Sequence, residues 1–340
     1  MRKLTLYIPG LLAPAMPVHP EDLPALPALD WLLSRARFQP QDMQPVSSCL
    51  CELFEFPKKS KADYPIAAIT RLCDDNQPVS GKWLRADPVH ASPDRDGLIL
   101  FDRERFKLSQ HDALALAADI RDLITPLGMT LEVPVPYRWY LKVPADLDLM
   151  TTPLDAVVAR DMLPNMPAGP NSQQLVRLMN EVQMTLHNAE VNLQRQQQKQ
   201  LPVNSVWFWG LGELPDMIER RWSQVIGDDV VARGLAMLAA TPLQSLPDNL
   251  DAIEFRQTDF DTLLVMDAFQ RYSHYPDLEG WFDTLLHYEQ NWFAPLLDAI
   301  RTNRIEQLAI NTGQGIFEIN RQSRFWFWKK QKTLASFKHD

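Results

Sequence analysis

The segment from Asn180 to Pro215 constrains this chain more than any other. It begins with a helical pattern, passes into a polar run carrying His187, Asn192 and Arg195, and breaks at Pro202. Beyond the proline, Val206-Trp207-Phe208-Trp209 is wholly apolar and stops at Gly210 and Gly212. A 3.6-residue apolar repeat, then proline, then a short apolar run closed by glycine predicts helix, turn, buried strand and tight glycine turn. That order gathers polar side chains and backbone amides around the end of one strand, where they could grip an anion.

At 340 residues the chain is long enough for one large α/β domain or two smaller ones. Its formal net charge of −9 argues against a general nucleic-acid binder. No apolar run approaches the about 18–20 residues that cross a bilayer. The apolar part of the N-terminus breaks at Pro9, too soon for a secretory leader. Cys49, Cys51 and Cys73 are odd in number and lack a CxxC spacing, against both a disulfide framework and a structural zinc site. The expectation is a protein of a bacterial-type cytoplasm with reduced cysteines, and with neither nucleic acid nor membrane as partner.

Residues 3–8 predict a first strand stopped by Pro9-Gly10, and the proline-rich run 14–27 predicts no helix. Helices are expected over 29–37, 64–73, 108–124 with Ser109 as N-cap, 174–193, 216–238 and 277–300. Strands are expected at 83–85 and 98–101 with 88–97 looping between them, as a pair over 131–143, at 206–209, 260–266, 305–310 and 315–328. Residues 144–172, rich in Pro, Asp, Met and Asn, predict a long ordered loop. Phe325-Trp326-Phe327-Trp328 with Lys329, Lys330 and Lys332 reads as a terminal strand and a solubilising basic tail. The alternation of strands and helices predicts the α/β class, a mainly parallel core sheet with an inserted smaller α/β lobe. The core is expected over 1–75 and 205–340, the lobe over 76–204.

Several strings carry a family resemblance. They are Leu26 to Leu32, Leu53-Phe54-Glu55-Phe56, Leu84-Arg85-Ala86-Asp87, and Asp96-Gly97 with the apolar run to Asp102-Arg103. His187, Asn192 and Arg195 with Pro202-Val203-Asn204 and Gly210-x-Gly212 add the pattern His-x-x-Asn-x-x-Arg, Pro-Ala-Asn, Gly-x-Gly, with the first spacing longer by two. Together they resemble the archaeal-type cofactor-independent phosphoglycerate mutases of the alkaline phosphatase superfamily. The Leu84–His90 string and the Phe325–Lys330 ending are similar to their bacterial regulatory relatives of the RpfE type. The resemblance implies an alkaline-phosphatase-like core sheet. It also implies a chemistry built on two divalent metals such as Mn or Zn beside a hydroxyl nucleophile.

The ligands that chemistry needs are mostly missing. Ile8-Pro9-Gly10 stands where the family carries Asp-Gly; Gln270 to His274 stands for Asp-x-x-x-His; Asn311-Thr312-Gly313 stands for the terminal Asp-His pair. His274 is the remaining metal candidate, and Ser47 and Ser48 are the candidate nucleophiles. The candidate ligand-binding residues are Arg85, Asp87, Arg103, Arg138, His187, Asn192, Arg195 and Asn204. Arg85, Asp87, His90 and Arg95 are read as an anion-binding loop, Arg138 as a bidentate anion donor, and Arg85 and Arg195 are expected to reach one anion. The resulting expectation is a non-catalytic regulatory relative without a metal cofactor, binding a small phosphorylated or carboxylate ligand and an unnamed protein partner. The alternatives are an active mutase or phosphohydrolase rebuilt around Asp259, Asp261, Asp267 and His274, and a pure protein-interaction module.

Overall fold

A computed structural model describes residues 3–12, 14–57, 62–75, 80–95, 97–253, 261–320, 323 and 332–337. The elements run β1 (Lys3–Tyr7), α1 (Pro27–Arg35), β2 (Arg37–Pro40), α2 (Val46–Leu53), α3 (Ile66–Asp75), β3 (Lys82–Asp94), β4 (Gly97–Phe101) and α4 (Gln110–Ile124). They continue as β5 (Thr130–Val135), β6 (Arg138–Val143), α5 (Leu154–Val157), α6 (Ser172–His187), α7 (Glu190–Gln197) and β7 (Ser205–Gly212). The last are β8 (Trp222–Ile226), α8 (Val230–Leu238), β9 (Leu243–Gln244), β10 (Asp261–Val265), α9 (Leu278–Tyr288), α10 (Ala294–Arg301), β11 (Gln307–Asn311) and β12 (Gly315–Asn320). Contacts divide them into two compact units, Met1–Cys49 with Glu219–Asp340, and Leu50–Ile218.

The first unit is built on a seven-stranded sheet ordered β2-β12-β11-β1-β10-β8-β9. β1 runs parallel to β10 and β11, β8 parallel to β10 and β9, while β12 and β2 close one edge antiparallel. Leu4, Leu6 and Tyr7 are all buried, as a strand covered on both faces requires. Double coverage also explains why 216–238 reads as helix in sequence but is not one helix. β8 is buried at every position, Ser223 and Gln224 included, so it shows no strand alternation, and only Gly227-Asp228-Asp229 separates it from α8. The expected helix 277–300 exists as α9 and α10, joined by one π turn over Glu289–Phe293.

At the N-terminus of α1, the buried Glu289 carboxylate accepts from the Ala28 and Leu29 N–H groups at 2.6 and 3.0 Å. It thereby satisfies amides that no helical carbonyl can reach. Asp30 lies half-buried in the same turn. Burial pushes its carboxyl up to about 6, helped by Glu289 and opposed by the Leu334 N–H it accepts. A carboxyl raised in the folded state adds stability below its ordinary pKa and loses it as pH rises through about 6. Asp30→Asn is therefore expected to leave thermal stability unchanged near pH 4 and to raise it near pH 8. After discounting for the water still reaching this carboxyl, the gain is about 1 kcal/mol.

The second unit holds an antiparallel sheet ordered β4-β3-β6-β5, with β7 also paired to β3. Its boundaries differ from those read in sequence: α3 and β7 belong with β3, because β7 pairs with β3 over Trp83 to Val89 and α3 packs on both. The expected loop is instead strand as far as Asp94, since β3 runs unbroken for 13 residues. Pro88 is tolerated because it pairs with Val206 on one side only. On the other side β6 pairing ends at Arg85 and β4 pairing begins at His90. Ser109 caps α4 as expected, accepting from Asp112 N at 3.1 Å.

The helix expected over 174–193 breaks at Asn188 into α6 and α7. The segment 144–172 carries α5 and a 3-10 turn. Glu55 holds φ +50, the left-handed conformation glycine favours. Phe325 to Lys330, Asp96 and Asp259 lie outside the described residues.

Candidate functional site

The glycines expected to form a turn lie within β7 instead, which runs on to Gly212, and there the backbone closely approaches α3 and the residue before it. A Cβ on Gly210, which has φ +69, would stand 2.8 Å from Ile66 Cβ, and one on Gly212 would stand 2.7 Å from Pro65 Cβ. The Gly210 N–H is already used, donating to Thr151 Oγ1 at 2.9 Å, and that hydroxyl in turn donates to Asp63. Trp207 Nε1 donates to the Thr152 carbonyl at 2.9 Å. The Gly210 amide, expected to help cradle an anion, and the Trp207 indole thus pin the 151–152 loop to β7.

Arg85 and Asp87 point to the same side of β3, two residues apart, and both are buried. Arg85 Nε and Nη2 donate to the two Asp87 oxygens at 2.8 and 2.7 Å, and Nη1 donates to Thr70 Oγ1 at 3.0 Å. Trp209 Nε1 donates to Asp87 Oδ2 at 2.8 Å, and the guanidinium lies 5.2 Å from both the Tyr140 and the Trp209 ring. Burial pushes Asp87 upward, and Arg85 and Trp209 pull against it.

Arg138 forms a second fork, donating from Nε and Nη2 to Asp74 at 2.7 Å each, with Tyr140 Oη donating to the same carboxylate at 2.5 Å. Asp74 outweighs the burial cost and holds Arg138 above its ordinary pKa. The bidentate geometry read from sequence is present, but its carboxylate is internal.

Asn192 is fully buried. Its Nδ2 donates to the Leu186 and Val203 carbonyls at 2.7 and 2.8 Å, and its Oδ1 accepts from Val203 N at 2.9 Å. It closes the end of α6 onto the approach to β7. Arg195 Nε donates to the Leu201 carbonyl at 2.9 Å and Nη1 to the Lys107 carbonyl at 2.8 Å, with Phe106 6.0 Å from the guanidinium. Arg85 and Arg195 share no partner.

Asn204 exchanges two bonds with the Ala91 backbone, at 2.7 and 2.9 Å. His90 Nδ1 lies 2.8 Å from the Pro202 carbonyl, which can only accept, so Nδ1 carries the proton. Burial holds His90 below its ordinary pKa. His187 is exposed at the end of α6, and Arg103 is exposed beside Glu104 at 3.8 Å. Six of the eight candidate ligand residues therefore have internal partners that build the second unit.

In the first unit, the carboxyl ends of the parallel strands come level: Tyr7 pairs with Val265 and with Asn311. Ligands of open α/β sheets gather at such an edge. Here Pro9 follows β1, and a Cβ on Gly10 would meet the Phe269 carbonyl oxygen at 2.6 Å. Asn311 Oδ1 accepts from Gly313 N at 2.9 Å, and Thr312 Oγ1 donates to the Gly315 carbonyl at 3.2 Å. Asp261 opens β10 and pairs with Lys3 at 3.8 Å, whereas Asp267 lies past its far end. Six residues of extended chain hold the two about 20 Å apart, so they cannot share a metal. Ser47 is buried and Ser48 half-buried in the first turn of α2.

A stretch covering 39% of this chain is 26% identical over 135 residues to a probable 2,3-bisphosphoglycerate-independent phosphoglycerate mutase of Geobacter sulfurreducens. The matched stretch covers 34% of that protein's length. The cofactor-independent phosphoglycerate mutase of Thermoplasma acidophilum superposes with a TM-score of 0.50 at 16% identity, covering 99% of this chain and 94% of that one. The chain has the phosphoglycerate mutase fold.

The PH0037 protein of Pyrococcus horikoshii superposes equally, with a TM-score of 0.50 at 11% identity over 94% of this chain and 87% of its own. No family model matches. The two metals implied by the mutase resemblance do not fit this donor set. Proline offers no ligand atom at the end of β1, and the Asn311 and Thr312 side chains are tied into their own turn. Among the described residues, no three His, Cys, Asp or Glu side chains converge to hold a metal ion. No helix among them is long and apolar enough to cross a membrane.

Sequence reasoning missed Asp74, Thr70, Tyr140, Trp209, Asp63 and Glu289. An arginine within an aromatic strand implies a carboxylate partner. Which carboxylate it takes depends on packing, since 64 positions separate Asp74 from Arg138.

Proposed function

We propose that this chain is a non-catalytic relative of the cofactor-independent phosphoglycerate mutases, acting as a cytoplasmic regulatory protein of the RpfE type through contact with a protein partner. The carrying observation is the dressed strand edge. Pro9 stands at the end of β1, and the Asn311 and Thr312 side chains close a turn where metal ligands would have to project. Interaction is favoured over ligand storage because Arg85 and Arg138 spend their forks on Asp87 and Asp74.

The test is interconversion of 3- and 2-phosphoglycerate by the full-length protein with added Mn. No turnover above background is expected, whereas turnover abolished by a chelator and restored by Mn would overturn the reading. Thermal melting with 3-phosphoglycerate separates the two non-catalytic forms. A ligand at about 100 times its Kd would add about 2.7 kcal/mol of stability, and no shift is expected.

A further inference from the structure

Between β1 and α1 the first unit carries Pro14, Pro17 and Pro20, a run that neither the strand edge nor the arginine forks use. Proline fixes its own φ at about −65° and drives the residue before it out of the helical region toward extended backbone. Met16 and His19 each precede a proline, so the sequence itself favours an extended course there. Pro17–His19 indeed lies outside helix, strand and turn, and His19 holds φ −76 and ψ 141, the polyproline II region. Leu23 returns to that region at φ −66 and ψ 135, after a 3-10 turn over Pro20–Asp22.

Polyproline II has three residues per turn, so Pro17 and Pro20 fall on one edge, His19 on a second and Val18 on the third. Val18 is half-buried against the main core of the first unit, and Leu23 packs on the same core. Just before them, Ala15 N donates to the Tyr272 carbonyl at 2.6 Å. Met16, Pro17, His19 and Pro20 are all exposed, Met16 at 38%. The chain thus displays two X-Pro pairs, Met16-Pro17 and His19-Pro20, with the residue between them turned inward. Proline-binding domains read this pattern with aromatic-lined grooves, and a segment already held in polyproline II loses little conformational entropy on docking. Glu21 and Asp22, exposed directly after the second pair, put two negative charges at one end of the display. A chain with a net charge of −9 suits a partner that is basic there.

We propose that residues 16–22 form a docking segment for a proline-binding partner domain. The aromatic-lined groove of that domain takes Met16-Pro17 and His19-Pro20, and its basic flank meets Glu21 and Asp22. This names the surface and the kind of partner for the regulatory role proposed above, and it rests on that reading.

Arrayed SH3, WW and EVH1 domains, probed with the labelled full-length protein, test it. Domains with lysine or arginine beside the groove are expected to bind saturably, and more weakly as salt is raised. Pro17→Ala combined with Pro20→Ala should weaken that binding about tenfold or more, as the loss of two anchors does. Glu21→Lys combined with Asp22→Lys should weaken it too and abolish the fall with salt. A peptide of residues 14–22 should compete, and the same peptide with alanine for both Pro17 and Pro20 should not. The replaced side chains are exposed, so urea unfolding of both variants should stay cooperative with midpoints close to the parent's. Should a variant lose its fold, the peptide pair decides, and competition by both peptides or by neither would overturn the segment. Absence of saturable binding to every class would overturn it as well, as would equal binding by the proline variant. Metal-dependent mutase turnover with domain binding intact would instead overturn the non-catalytic reading and leave the docking segment standing.

Discussion

Asp87→Ala is expected to lower the unfolding free energy by about 3–5 kcal/mol, the cost of leaving a buried guanidinium without its counter-ion. Arg85 loses both fork bonds, and Trp209 Nε1 loses its acceptor in the same stroke. Water cannot replace them, because both residues of the pair are buried. Urea unfolding followed by tryptophan fluorescence reads the change, since Trp209 belongs to the network. The double replacement Arg85→Met with Asp87→Leu should recover most of the loss, because removing both charges removes the burial cost as well. An Asp87→Ala loss below about 1 kcal/mol would show that the pair is solvated. Arg85 would then be free to meet an outside anion.

Gly210→Ala is expected to cost about 2–5 kcal/mol by a different route. At φ +69 an alanine occupies the left-handed region, at roughly 1–2 kcal/mol relative to glycine. Its Cβ would then press on Ile66 Cβ at 2.8 Å and Ala67 N at 3.2 Å. Moving the first turn of α3 to make room adds the about 1–3 kcal/mol typical of overpacking. Ile66→Ala should relieve part of the penalty in the double variant, a coupling that a cycle of single and double replacements measures. Equal losses with and without Ile66 would show that the backbone conformation alone sets the cost.

Sequence carried the local chemistry well and the pairing poorly. The Ser109 cap and the strands β1 and β10 were legible because each rests on residues adjacent in the chain, whereas β7 runs on past the expected end at Trp209 to Gly212. β8 was not legible. A strand covered on both faces has no alternation, and β8 carries the polar Ser223 and Gln224 buried. The length of β3 was hidden by Pro88, whose tolerance depends on where β6 and β4 stop pairing.

The arginines were found, but their purpose was misjudged for a physical reason. A guanidinium fork looks the same in sequence whether its carboxylate belongs to a ligand, to residue i+2 as in Arg85 and Asp87, or to a helix 64 positions away as in Arg138 and Asp74. The missing metal ligands, by contrast, were legible at once, because proline at the end of β1 forbids a ligand whatever the packing.

The most direct test of the central claim, that the strand edge no longer builds a two-metal centre, is the metal stoichiometry of freshly purified full-length protein, followed by titration with Mn and with Zn. Well under one Mn or Zn per chain is expected, with no saturable stoichiometric uptake on titration. Two tightly held ions per chain, removed by a chelator together with phosphoryl-transfer activity and restored with it, would contradict the claim.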